Sequence, residues 1–116
     1  MNLIQELKGL GVNTDEGLQR MGGNASLYER MLVKLKDMIK DSPVRVDFDG
    51  NEYSDIIESA HTIKGASGNL AVTPVYELYS EFVRLLREQQ PEQARAVLEK
   101  GLPAQNAIID CIERYS

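Results

Sequence analysis

Apolar residues recur at intervals of three and four in almost every segment of this chain, and that spacing is typical of helices that bury one face. The third predicted helix has such a face, made of Leu27, Met31, Leu35, Met38 and Ile39. Only the segment 41–51 differs, because apolar and charged residues alternate there as in a strand. No second segment offers a partner strand, so we interpret 41–51 as an extended loop. The pattern therefore predicts an all-α fold.

Glycines and capping residues separate the first three predicted helices. The first helix is short and stops at Gly9. The second takes Thr14 as its N-cap and ends at Gly22. Asn24 is then the N-cap of a longer third helix. We therefore expect two short helices ahead of the main body of the fold.

Proline marks the start of the later helices. The fourth helix is predicted over about 52–70, and the fifth takes Thr73 as its N-cap with Pro74 at the first helical position. The fifth ends near Gln89, and Pro91 opens the last helix. The fifth helix carries an apolar face made of Val75, Leu78, Tyr79, Phe82, Leu85 and Leu86.

Gly101 and Pro103 interrupt the last helical pattern, and a proline inside a helix kinks or breaks it. The apolar register of Val97, Gly101, Ala104 and Ile108 nevertheless continues across the interruption. We therefore expect a kink rather than a full break.

Four long helices joined by short links favour an antiparallel four-helix bundle with short additional N-terminal helices. A length of 116 residues fits one domain covering residues 1–116. A domain of this size buries a single core and has little room for an enclosed substrate cavity.

Charge and cysteine content limit the classes of partner. A net charge of −5 argues against nucleic acid or an anionic membrane as a partner, because phosphate binding needs an excess of Lys and Arg. Cys111 is the single cysteine, so no internal disulfide forms, and its helical surroundings predict a small core residue. No secretion signal and no membrane-spanning run is recognisable, so we expect a cytoplasmic protein.

The segment 60–70 contains the only histidine, His61. At 100° per residue, Ile56, Ile63, Ala66 and Leu70 form its buried side, and His61 points the opposite way. Lys64 lies one turn from His61 on the same side, together with Gly65 and Gly68. A surface imidazole is partly an uncharged nucleophile at neutral pH, and an ammonium one turn away can stabilise an anion that it carries.

Two glycines inside one helix cost about 1 kcal/mol each relative to alanine, so folding alone gives no reason for both. A bare surface that lets another macromolecule approach the imidazole does give a reason. A nucleophile, a cation and a bare patch together suit phosphoryl transfer. Two alternatives stay open: His61 is only a solvated residue, or Gly65 and Gly68 form a groove for helix packing.

The segment strongly resembles the signature of histidine-phosphotransfer domains of multistep phosphorelays. In that signature, His is followed by a small or polar residue, Leu, Lys and Gly, with a second Gly three residues later. The matching residues are His61, Thr62, Ile63, Lys64, Gly65 and Gly68, with Ile in place of Leu. The stretches 17–24 and 27–28 resemble the family's opening helix and turn, and 69–70 and the helix from Pro74 fit too. The chain departs from the family pattern in three places. Many relatives have Leu-Glu where this chain has Phe82-Val83, the loop 42–51 is unusual, and the last helix is interrupted at 101–103.

The resemblance implies that His61 accepts a phosphoryl group from the aspartyl phosphate of a receiver domain and passes it to another receiver. It implies that Lys64 stabilises the phosphoryl group and that Gly65, Gly68 and Ile57 belong to the receiver docking surface. Leu18 and Met21 belong either to that surface or to the core. The partners implied are response-regulator receiver domains and a hybrid sensor histidine kinase. Mg²⁺ is expected only in the receiver, and the protein is expected to be a monomer without autonomous kinase activity.

Three other interpretations remain. One is the amino-terminal phosphorylated domain of a chemotaxis-type kinase, which has a similar histidine motif. Another is a non-catalytic helical adaptor, for which the combination of His61, Lys64 and the two glycines is a coincidence. A hydrolase with His61 as general base is the third, and it lacks a recognisable nucleophile or orienting acid. Glu58 is one turn from His61, but such a pair on an exposed helix is usually a surface contact.

Overall fold

Asparagine side chains begin the first three helices. In the computed structural model, which describes all residues from Met1 to Ser116, the N-caps are Asn2, Asn13 and Asn24. Asn13 accepts a hydrogen bond from the backbone N–H of Glu16 at 3.3 Å. The prediction of Thr14 as the N-cap is thus wrong by one residue, since the side chain of Asn13 reaches the free N–H groups first. The second helix ends at Arg20, just before the predicted stop at Gly22.

The chain folds into six helices and contains no strand, which confirms the all-α prediction. The four longer ones, α3 to α6, account for most of a core cluster of 25 buried residues. Their bounds are α1 Leu3–Gly9, α2 Thr14–Arg20, α3 Ala25–Asp41, α4 Ser54–Asn69, α5 Thr73–Arg87 and α6 Pro91–Arg114.

The ends of α4 and α5 use left-handed residues that are not glycine. Ala71 has a φ of 55° and Gln89 a φ of 60°. The residue after each of them donates a backbone hydrogen bond to a carbonyl oxygen of the last helical turn. Val72 donates to Ser67 at 2.9 Å, and Gln90 donates to Leu85 at 2.9 Å. This six-to-one bond is the Schellman ending of a helix.

The start of α5 differs from the prediction by one residue. Val72 is the N-cap and contributes no side-chain hydrogen bond, while Thr73 and Pro74 are the first two helical residues. Thr73 was predicted as the cap, but its hydroxyl donates to the carbonyl of Ala71 at 3.3 Å instead. Pro74 fits here because proline has no backbone N–H, and the N–H groups of the first helical turn have no acceptor within the helix.

The buried stripe of α3 is rotated from the predicted one. Tyr28, Leu32, Leu35 and Ile39 are buried, whereas Leu27, Met31 and Met38 are only half-buried. The stripe is rotated because Tyr28 is fully buried and its hydroxyl donates a hydrogen bond to a backbone carbonyl.

The buried face of α4 is narrower than predicted. The buried residues are Ala60, Ile63 and Ser67, with Leu70 just beyond the helix, and Ile56 and Ala66 are only half-buried at the margin of the predicted face. All six predicted core residues of α5 are buried, together with Val83.

The loop between α3 and α4 is irregular, as predicted, and Arg95 of α6 holds it in place. The Arg95 guanidinium lies 4.3 Å from the ring centroid of Phe48. It also donates to the carbonyl oxygens of Val46 and Phe48, the latter at 3.1 Å. Val44 is buried in the core. The alternating apolar residues therefore pack inward without any strand pairing.

Helix α6 runs without a break through Gly101 and Pro103. At Gly101 a Cβ atom would lie 2.4 Å from the Leu78 Cδ1 atom, so the glycine permits a close approach of α5 and α6. Cys111 is fully buried, which confirms it as a core residue. Gln105 is also buried and accepts a hydrogen bond from the Tyr79 hydroxyl.

The first and last helices pack together. The Tyr115 hydroxyl donates to the carbonyl oxygen of Met1 at 3.2 Å, and Arg114 pairs with Glu6 of α1 at 3.6 Å. None of the six helices combines the length and the apolar composition needed to cross a bilayer.

Candidate functional site

Helix α4 places His61 at the surface. His61 is exposed, while its neighbours Ala60 and Ile63 are buried in the core, so the predicted outward orientation is confirmed. The middle of the helix is regular, and the Thr62 hydroxyl is occupied by a 3.0 Å bond to the carbonyl of Glu58. The imidazole is therefore carried on a rigid element and is open to solvent.

Neither His61 nor Lys64 has a partner within the chain. No side-chain hydrogen bond involves the His61 ring, and Lys64 is absent from all of the ion pairs. Residues three apart on a helix have Cβ atoms about 5–6 Å apart, so the ammonium can reach a group bound to the imidazole. Lys64 is half-buried, which places its aliphatic stem along the bundle. The cation is available for an incoming anion.

The two glycines of the motif have different surroundings. No atom lies within 4 Å of the position that a Cβ would take at Gly65, so the surface there is bare. At Gly68 a Cβ would lie 2.9 Å from Cδ1 of Tyr76 and 3.0 Å from its Cε1. The expectation that both glycines leave open surface is therefore confirmed for Gly65 and wrong for Gly68, because the ring of Tyr76 occupies that space.

A shallow groove lies beside the two glycines. Its volume is about 480 Å³, and α2, α4 and the start of α5 form its walls. The lining residues are Glu16, Arg20, Gly65, Gly68, Asn69, Ala71, Thr73 and Tyr76. The groove is open, and hydrophobic residues are a minority of its lining, which suits a protein surface better than an enclosed small-molecule site.

Arg20 connects α2 to the site helix. Its guanidinium donates to the carbonyl oxygen of Gly68 and pairs with Glu16 at 2.5 Å. No sequence motif identified Arg20 or Tyr76 as part of the site. Arg20 belongs to α2, far before His61 in the sequence, and Tyr76 belongs to α5, the helix after α4, so no pattern within one helix connects either side chain with His61.

The remaining predicted docking residues are partly accessible. Ile57 lies one turn before His61 and is half-buried against the core. Leu18 of α2 and Met21, which directly follows α2, are also half-buried and pack on the core cluster. Met21 lines a second groove of about 480 Å³ between α2, α3 and α4, which is mainly apolar. These residues therefore contribute to both the core and the surface around α4.

The geometry does not assemble a hydrolytic or metal site. Glu58 is exposed and makes no side-chain hydrogen bond to His61, so no acid orients the imidazole as a general base. No group of three or more His, Cys, Asp or Glu side chains is arranged to hold a metal ion. What the site offers is an exposed nucleophile with a neighbouring cation and bare backbone.

A family model described as Hpt domain matches residues 26–116, which cover α3 from its second residue together with all of α4, α5 and α6. The matched part contains His61, Lys64 and both glycines of the motif. No curated protein and no solved structure matches the chain. The match does not include α1 and α2, although the sequence of α2 and the turn after it resembles the family's opening segment.

Proposed function

The chain belongs to the Hpt domain family, whose role is histidine phosphotransfer in phosphorelays, and we propose that His61 is its phosphoryl-accepting residue. The observation that supports this most directly is the exposure of His61 on a rigid helix, without a partner of its own and beside the bare backbone of Gly65. A nucleophile that must reach into another protein needs this kind of access.

In the proposed reaction, Nε2 of His61 attacks the phosphorus of a receiver's aspartyl phosphate. A nitrogen–phosphorus bond forms, the bond between phosphorus and the carboxyl oxygen breaks, and the aspartate leaves as a carboxylate. Transfer onward reverses these steps at the aspartate of a second receiver. The chemistry requires little covalent assistance from the protein, because positioning and charge stabilisation supply most of the rate.

Lys64 is proposed to stabilise the phosphoryl oxygens. Its ammonium has no competing ion pair and lies one turn from the imidazole, so it can interact with negative charge both in the transition state and in the phosphohistidine. Mg²⁺ is assigned to the acidic pocket of the receiver partner. We assign no residue of this chain to the metal.

Gly65, Gly68 and Ile57 are proposed as parts of the receiver docking surface. Gly65 lets the partner backbone approach, and Ile57 adds an apolar contact on the opposite side of His61. The partners are response-regulator receivers and a hybrid sensor kinase, and the protein acts as a monomer in the cytoplasm, without binding nucleic acid or membrane. We include α1 and α2 in the same domain, because Leu3 and Leu7 of α1 belong to the single core cluster and Leu18 of α2 packs against it.

The experiment that tests this proposal is incubation with phosphorylated receivers, followed by scoring which of them lose label to this protein. The label should be stable in base and labile in acid, as expected for a phosphoramidate. His61→Gln should take up no label and should unfold at nearly the wild-type temperature, because the residue is exposed. Incubation with Mg-ATP alone should give no label.

Three results would contradict the proposal. Labelling of His61→Gln would remove the assignment of His61, and autophosphorylation with Mg-ATP alone would point to a kinase. A wild-type protein that takes up no label from any receiver, but still binds one, would favour the adaptor alternative.

A further inference from the structure

Tyr76 is an exposed aromatic residue in the groove beside the site helix. Four large apolar side chains are exposed in this protein: Met1, Leu10, Tyr76 and Tyr115. Met1 and Tyr115 are hydrogen-bonded to each other near the two ends of the chain, and Leu10 is the residue directly after α1. Of the four, Tyr76 alone lines the groove that contains Gly65 and Gly68, and its side chain is 41% exposed.

The position of the Tyr76 ring depends on Gly68. A Cβ at residue 68 would lie 2.9 Å from the ring, closer than side-chain atoms approach each other, so only glycine admits the ring in this place. The edge of the ring formed by Cδ1 and Cε1 therefore lies against α4 at Gly68. The Tyr76 hydroxyl donates no hydrogen bond within the chain, which leaves it free for a partner. An aromatic face with a polar tip is the kind of side chain that is enriched at protein interfaces.

Tyr76 also lies within reach of any protein seated over His61. Gly68 is seven residues from His61, which corresponds to about 10 Å along a helix. Even a small transient interface buries about 600 Å² on each partner, and a circular patch of that area has a radius of about 14 Å. A receiver centred on the imidazole therefore extends beyond Gly68, the residue against which the Tyr76 ring lies.

We propose that Tyr76 is a receiver-contacting residue of this phosphotransfer domain and that Gly68 contributes to docking by holding the Tyr76 ring against α4. This inference rests on the proposed function of His61. It assigns different roles to the two glycines: Gly65 leaves backbone bare for the partner, and Gly68 acts through an aromatic side chain.

The test is the kinetics of transfer from a phosphorylated receiver that donates to the wild type. Tyr76→Ala should raise the KM for that receiver about ten-fold, as expected for loss of a central aromatic contact, and should leave kcat at saturating receiver unchanged. Tyr115→Ala is the matched control, because Tyr115 is similarly exposed, at 44%, but lies outside the groove. Its KM should equal that of the wild type. Thermal unfolding of each variant verifies that it is folded.

A double-mutant cycle separates the two glycine roles. Gly68→Ala should raise KM by displacing the ring, but it should have no further effect in a protein that already carries Tyr76→Ala. If Gly68 contacted the receiver by its own bare backbone, the two changes would add. Gly68→Ala keeps the ring and alters only its position, so it remains informative even if Tyr76→Ala lowers stability.

A wild-type KM for Tyr76→Ala, or full additivity in the cycle, would overturn the role of Tyr76 and leave His61 as the phosphoryl acceptor. Failure of the proposed function looks different. In that case the wild type takes label neither from receivers nor from phosphoramidate, a small donor that needs no docking surface, and the role of Tyr76 falls with it.

Discussion

The Tyr28 hydroxyl donates a 2.8 Å hydrogen bond to the carbonyl oxygen of Leu70, the residue that ends the site helix. Both residues are buried, and the ring of Tyr28 occupies the space beside Gly17, where a Cβ would lie 2.4 Å from its Cζ atom. One side chain thus connects α3 and α2 to the C-terminal end of α4.

Tyr28→Phe should lower the free energy of unfolding by about 1–3 kcal/mol. The substitution keeps the ring but leaves the buried carbonyl of Leu70 without its donor. Denaturant unfolding of the purified variant measures the change. Tyr53→Phe serves as control, because Tyr53 is half-buried and its hydroxyl has no partner, and it should change stability by less than about 0.5 kcal/mol. Equal effects of the two substitutions would show that the Leu70 bond contributes nothing.

Stability should fall steeply above pH 10. Burial raises the pKa of Tyr28 from 10.0 to about 12, and burial also raises the pKa of Tyr79. Between pH 10 and pH 12 the unfolded chain therefore loses these protons while the folded chain keeps them. Each such proton lowers the unfolding free energy by about 1.4 kcal/mol per pH unit. Urea unfolding from pH 8 to pH 11.5 should show the decline, and Tyr28→Phe should decline less steeply.

Gln89→Gly should stabilise the protein by up to about 1 kcal/mol. Gln89 is exposed and has a φ of 60°, a conformation that favours glycine over residues with a side chain. The readout is a higher melting temperature. Glu88→Gly is the matched control, since Glu88 is exposed and has a φ of −86°, a conformation that gains nothing from glycine. A gain in the control and none at residue 89 would contradict this account of the α5 ending.

Alanine should have unequal effects on stability at the two glycines of α4. Gly65→Ala should raise stability by up to about 1 kcal/mol, because its Cβ meets no atom within 4 Å and helix propensity favours alanine. Gly68→Ala should gain less or lose stability, since the new Cβ displaces the Tyr76 ring. Thermal melts of the two single variants decide the matter. Equal stabilisation at both positions would mean that the Tyr76 ring moves away without cost.

Helical periodicity identified all six helices and the irregular loop, because burying one face of each helix requires that spacing. Periodicity did not identify the first residue of α2, where two neighbouring residues can both act as N-cap. At Asn13-Thr14 the sequence contains no information about which of the two the chain uses. The choice depends on the path of the preceding turn, in which the Asn13 N–H donates to the carbonyl of Ala71 at 2.9 Å.

At the site, the sequence predicted the residues on α4 and missed those that approach it from other helices. The orientation of His61 follows from helix geometry alone. The contact of the Tyr76 ring with Gly68 and the hydrogen bond from the Arg20 guanidinium to the Gly68 carbonyl join different helices, and the periodicity within one helix does not reveal them. A glycine that exposes backbone and a glycine that admits a ring look the same in a sequence, so only the packing separates Gly65 from Gly68.

The bond between Tyr115 and Met1 brings the two ends of the chain within a few ångströms of each other. A short Gly/Ser linker could therefore join them into a continuous chain, and new ends could be opened at Gly22-Gly23, an exposed turn outside every helix. In such a circular permutant, α1 and α2 would follow α6 directly, and α3 to α6 would keep their order. The same folded domain is therefore expected from a chain that begins at Gly23 and ends at Gly22.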